Sequence, residues 1–188
     1  MGMFMAQYAF AQMPSQTEAS KVKMLLDSAR SQINQTLSYD ARYSQIKYPN
    51  GDVALSTGVC TDVIIRAYRQ AFSYDFQKTV HEDMMANFSL YPKMWGLKST
   101  DTNIDHRRVP NLQMFLKRKN VEVANKEYRA GDLVTQMIAN KYPHIVIVSD
   151  KLSEDGKRPL VIHNIGSGTK EEDSLYAYPI TGHYRFIP

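Results

Sequence analysis

At Val121 the spacing of apolar residues changes, and this limits what the chain can fold into more than any other feature of its sequence. Ahead of that point the period is helical. Val22, Leu26, Ala29, Ile33 and Leu37 recur every three or four residues behind Ser15-Gln-Thr-Glu18, a capping-box pattern that follows Pro14. A second helix is predicted to begin near Cys60. It would bury Val63, Ile64, Ala67, Tyr68 and Ala71, turn Arg66, Arg69 and Gln70 outward, and take Ser56 or Thr57 as its cap. A short helix over Val80-His-Glu-Asp-Met-Met-Ala-Asn-Phe88, a polar loop from Ser99 to Pro110 and a helix from Asn111 to Arg118 complete this half. From Val121 onward the period is that of strands, at Val121–Ala124, Asp132–Ile138, His144–Ser149, Leu160–Ile165 and His183–Ile187. Their short connections, among them Glu154-Asp-Gly-Lys-Arg-Pro159 and Ile165-Gly-Ser-Gly168, favour antiparallel hairpins. The expected class is α+β, with N-terminal helices packed on an antiparallel sheet of about five strands.

The length of 188 residues suits one domain, taken as 15–188 behind a leader of residues 1–14. With 43% apolar and 22% charged residues the chain reads as an ordinary folded protein. The net charge of +4 would help at an anionic surface but selects none. In the leader, Ala9-Phe-Ala11 resembles a signal-peptidase site behind a short apolar stretch, which points to a periplasmic or secreted protein. The sequence has no apolar run long enough to span a membrane, and nothing in it calls for more than a monomer.

The single cysteine, Cys60, falls at the first turn of the second helix. There backbone N–H groups and the positive end of the helix dipole favour a thiolate, and an imidazole would lower its pKa further. His144 opens the strongly apolar strand after Tyr142-Pro143, and His163 follows Leu160-Val-Ile on the next strand. His144 is the candidate base and His163 the group that orients it. Asn164, pointing to the opposite face, is the less favoured substitute. A free cysteine is more often a small buried apolar residue, and only the two strand-borne histidines outweigh that reading.

These residues carry a resemblance. Gly131-Asp-Leu-Val134, His144-Ile-Val-Ile147 and Val161-Ile-His163, all downstream of the cysteine helix, resemble the NlpC-type papain-like cysteine peptidases, which cleave peptidoglycan stem peptides. Those enzymes often carry a tyrosine about a dozen residues ahead of the cysteine, where Tyr48 stands. More narrowly, Tyr48-Pro-Asn-Gly-Asp52, Gly58-Val-Cys-Thr-Asp62, Asn103-Ile-Asp-His-Arg-Arg108 and His163-Asn-Ile-Gly-Ser-Gly168 resemble the bacterial "domain of unknown function 1287" family. The resemblance implies a papain-like fold, Cys60, His144 and His163 as the catalytic set, and an oxyanion held by the Cys60 N–H with Tyr48. The implied activity is an amidase or endopeptidase acting on peptidoglycan or a small peptide. The alternatives are a non-catalytic wall-binding module and an acyltransferase using the same thiol. Two departures matter. Val59-Cys-Thr-Asp62 replaces the usual Asp-Cys-Ser-Gly, and the segment from Phe72 to Asn120 lengthens the interval between cysteine and histidine.

Within that segment Asp105, His106, Arg107 and Arg108 form a second candidate constellation, joined by Asp62 from the cysteine motif. Paired guanidiniums can clamp a substrate carboxylate through bidentate hydrogen bonds, or can pin a loop by salt bridges. His81-Glu-Asp83 lacks the second histidine of a zinc helix, and the five histidines have no ligand spacing, so no metal and no other cofactor is expected. Lys117-Arg-Lys119 lacks the aromatic interleaving of a nucleic-acid surface, and no nucleic-acid partner is expected.

Overall fold

The computed structural model describes residues 16–188; the leader, its Ala9-Phe-Ala11 triplet and Ser15 of the capping box lie outside the described residues. Four helices precede the main sheet: α1 (Gln16–Arg30), α2 (Cys60–Phe72), α3 (Phe76–Ala86) and α4 (Val109–Arg118). Between α1 and α2, β1 (Ser38–Tyr39) and β2 (Thr57–Gly58) form a two-residue parallel pair. The main sheet holds β3 (Leu133–Ile138), β4 (Tyr142–Leu152), β5 (Pro159–Asn164), β6 (Thr169–Glu172) and β7 (Ile180–Tyr184). Its order is β6-β5-β4-β3-β7 and every pairing is antiparallel, so the α+β class stands.

Strand alternation sorts the sheet's side chains onto two faces. Leu133, Ile145, Ile147 and Ile162 pack with Leu25 and Leu26 of α1 and Val63, Ile64 and Tyr68 of α2. Each apolar side chain so buried contributes about 1.5–3 kcal/mol, enough to hold α2 on the sheet. On the other face Val134, Val146, Val148 and Val161 are covered by Leu175, with Tyr128 and Ile180 alongside.

Several expected boundaries move. Helix α1 stops at Arg30, so Ile33 lies past its end and Leu37 is 62% exposed. The α2 cap is neither Ser56 nor Thr57: the Val59 N–H donates to the Asp62 carboxylate at 2.7 Å, a reach back from the first turn. Arg66 is buried rather than outward, with its guanidinium on Asp52, the Thr36 hydroxyl and the carbonyls of Val53, Ala54 and Thr57. In place of the expected Val121–Ala124 strand, Glu122 forms one bridge to Tyr184, and the last strand runs earlier than His183–Ile187.

Strand β6 was not visible in the pattern because Thr169-Lys-Glu-Glu172 has no apolar residue. Tertiary contacts hold it. Glu171 accepts from Arg30, Ser149 and Lys151, and the Thr169 N–H donates to Thr36. The turn before it requires Gly168, whose φ is +87° and whose added Cβ would meet the Thr36 carbonyl at 2.3 Å.

Candidate functional site

Cys60 is the first residue of α2 and is 3% exposed. It meets the sheet where two strands part. The β4–β5 ladder stops at Ile147 opposite Ile162, and the Ile145 N–H beyond it turns to the thiol, joined by the Thr61 N–H and the Tyr39 hydroxyl. Burial outweighs these donors and pushes the Cys60 thiol up to about 11, so the resting group is a thiol. The expected low-pKa thiolate is therefore corrected: a helix dipole is worth about 0.3–1 kcal/mol, less than the cost of desolvating the anion here.

His144 and His163 share the sheet face away from α2, in step with Val146 and Val161. His144 Nε2 lies 2.7 Å from His163 Nδ1, and His163 Nε2 lies 2.9 Å from the Glu172 carboxylate. Both rings are buried, and burial lowers both pKa values, that of His144 to about 3. The Ser174 hydroxyl is 3.2 Å from His163 Nε2. His144 Nδ1 makes no hydrogen bond among the described residues. Residues 143–145 pass the sulfur: Pro143 lines the groove that Cys60 opens into, and Ile145 donates to the thiol. No hydrogen bond joins Cys60 to His144 among the described residues. Asn164 is occupied elsewhere, donating to the carbonyls of Ser38 and Gly58 at 3.2 and 3.1 Å. It ties β5 to the pair β1–β2 and thereby sets Tyr39 over the thiol.

The groove over Cys60 has a volume of about 320 Å³ and is walled by Tyr39, Tyr43, Trp95, Ile104, Arg108 and Pro143. Three of these walls, Trp95, Ile104 and Arg108, come from the segment that lengthens the interval between cysteine and histidine. A second cavity of about 370 Å³, lined by Val22, Leu26, Gly131 and Ile187, contains neither thiol nor imidazole.

The residues of the second constellation divide. Asp62 and Arg107 form a buried bidentate pair, both contacts at 2.9 Å. The Arg107 carbonyl also accepts from Thr61, so the pair locks the 105–107 turn onto the cysteine helix. Asp105 accepts from His81 at 2.9 Å and from the Asp101 N–H, and His106 is 1% exposed with its pKa lowered by burial to about 4. Arg108 differs. Its guanidinium lies 4.2 Å over the Trp95 ring and makes no ion pair or side-chain hydrogen bond among the described residues, and its buried Nη1 has no acceptor. Trp95 itself stands at φ 70°, an uncommon conformation for a bulky residue, beside the thiol groove.

Tyr48, expected near the oxyanion, packs edge-on against His81 with ring centroids 5.4 Å apart. Tyr39 is the tyrosine whose hydroxyl reaches the thiol. Sequence reasoning missed it and Glu172. Tyr39 follows no helical period, and Glu172 lies in a charged tetrapeptide.

A model for the "Domain of unknown function (DUF1287)" matches residues 26–186, which include every residue of this arrangement. The chain belongs to the DUF1287 family. It is 48% identical over 176 residues to the "Uncharacterized protein YijF" of Escherichia coli (strain K12), an alignment covering 92% of this chain and 85% of that one. Among the described residues of this DUF1287 domain no group of three or more His, Cys, Asp or Glu side chains is placed to hold a metal ion. No helix of the described residues is long and apolar enough to cross a membrane.

Proposed function

We propose that this DUF1287 protein is a cysteine hydrolase of the NlpC-type papain-like kind, cutting amide bonds in peptidoglycan stem peptides in the periplasm or outside the cell. One observation carries the reading: a thiol on the first turn of a helix meets the opening between two strands, where a buried His144–His163–Glu172 chain begins. The groove over the thiol supports a peptide substrate, since its walls are apolar or aromatic and Arg108 stands ready for a carboxylate.

The chemistry balances with these groups alone. His144 Nδ1 takes the thiol proton as sulfur attacks the carbonyl carbon, and the Cys60 N–H with the Tyr39 hydroxyl meets the developing oxyanion. His144 then gives that proton to the departing amine, leaving a thioester. Water, deprotonated by His144, releases the acid and restores the thiol. Because thiol and imidazole both rest uncharged, proton transfer accompanies attack and does not precede it. The missing thiol–imidazole contact closes in the substrate complex, as apo catalytic contacts commonly do.

The rival reading, a wall-binding module without chemistry, draws on that same buried, protonated thiol. Incubation with purified peptidoglycan, followed by mass spectrometry of the fragments, separates the two. New amine and carboxyl ends made by the native protein and lost in Cys60→Ala support the hydrolase; binding without fragments supports the module.

A further inference from the structure

We propose that Glu172 is a positioning residue that sets the direction of the hydrogen-bond chain behind His144, so that His144 presents a lone pair and not an N–H to the thiol. The proposal rests on the cysteine-hydrolase reading and adds a carboxylate to its catalytic set. Two neutral imidazoles sharing one hydrogen bond can be arranged in two ways, and only an asymmetric partner chooses between them. The 2.7 Å contact between His144 Nε2 and His163 Nδ1 is such a bond. A carboxylate can only accept, so Glu172 at 2.9 Å requires the proton of His163 on Nε2. His163 Nδ1 is then an acceptor, His144 Nε2 carries the donated proton, and His144 Nδ1 is left bare to receive the proton of Cys60. With the chain reversed, Nδ1 of His144 would bear hydrogen and the thiol could not be deprotonated.

The groups around His163 leave Glu172 as the determinant. His144 faces it from β4, Glu172 and Lys170 from β6, and Ser174 from the segment after β6. Ser174 is 3.2 Å away, but a hydroxyl both donates and accepts and so imposes no direction. Lys170 is the cross-strand partner of His163 and has no acceptor to offer the ring. Glu172 reaches His163 diagonally, because it pairs with Val161 on the same face while Glu171 points to the other face and binds Arg30. Its side chain is 41% exposed, so a substitution there need not disturb the core.

The test reads the tautomer and the chemistry separately. In protein labelled with nitrogen-15 histidine, His163 is expected as the Nε2–H form; in Glu172→Ala it should move toward the Nδ1–H form. On peptidoglycan-derived peptides the same variant should lose about 10- to 100-fold in kcat with KM within about twofold, because Glu172 stands behind the ring and outside the groove. Glu172→Gln, whose amide offers either an acceptor or a donor, should fall between, whereas Lys170→Ala and Ser174→Ala should match the native protein. If Glu172→Ala keeps the native tautomer and kcat while the native protein cleaves the peptides, Glu172 has no such role and the hydrolase reading stands. If Ser174→Ala reproduces the loss, the hydroxyl is the determinant and the proposal is overturned. If the native protein cuts nothing, the hydrolase reading fails, and the tautomer measurement still decides whether Glu172 directs the chain.

Discussion

The two edges of the main sheet each carry a buried imidazole on a carboxylate, and they differ in how the arrangement ends. At the β7 edge His183 Nε2 lies 2.7 Å from Asp132, and His183 Nδ1 faces the Asn125 carbonyl. Asp132 is further filled by both arms of Arg185 and by the Arg129 N–H. Both ring nitrogens of His183 and both oxygens of Asp132 have partners, so the pair is closed and can only hold structure together. At the β6 edge the pair His163–Glu172 continues to His144, and the chain stops at a ring nitrogen in the strand segment that passes the thiol. An imidazole–carboxylate contact is therefore a poor marker of chemistry. An open end is a better one. The arginines of the groove repeat the contrast: Arg107 is closed on Asp62, and Arg108 ends on Trp95 with an unfilled nitrogen.

The arginine pair offers the sharpest way to break this distinction. Arg107→Ala leaves the Asp62 carboxylate buried without its partner and should cost about 3–5 kcal/mol, read as a drop in denaturant midpoint. Arg108→Ala should leave that midpoint nearly unchanged and raise KM for peptides bearing a free carboxylate, with kcat held. Equal losses of stability in the two would erase the contrast. The histidines provide the next test. His163→Ala is expected to lower kcat about a hundredfold, whereas His183→Ala should cost about 1–3 kcal/mol of stability at native kcat.

A smaller effect concerns pH. Burial depresses His144 to about 3 and His106 to about 4, so each is neutral when folded and becomes protonated in the unfolded chain below about 6.5. The unfolded state then binds more protons, and stability falls as pH falls through that window. Between pH 7 and 5.5 the two together should cost about 2 kcal/mol. Thermal melts across that range check it, and a flat profile would show that these imidazoles remain solvated.

Much of this molecule follows from local pattern. The helical spacing of Val63, Ala67 and Ala71 and the alternation through Ile145 and Ile147 are short-range, and both survive in the fold. Where the pattern misled, long-range contacts had overruled it. Arg66 sits at an outward helical position and is buried because Asp52 and three loop carbonyls fold over it. Strand β6 carries no apolar residue and exists because Thr36, Arg30 and Ser149 hold its backbone and Glu171 in place.

The sequence by itself determined that helices precede an antiparallel sheet, that the thiol stands at a helix start and that the two histidines lie on neighbouring strands. Each of these depends on residues only a few positions apart. Tertiary structure alone decided that Tyr39 and not Tyr48 reaches the sulfur, that Asn164 braces β1 and β2, that Arg107 is spent on Asp62, and that Glu172 completes the chain. Those choices rest on strand register and on which loop covers which strand. They are set by contacts between residues far apart in sequence, and neither period nor motif records them.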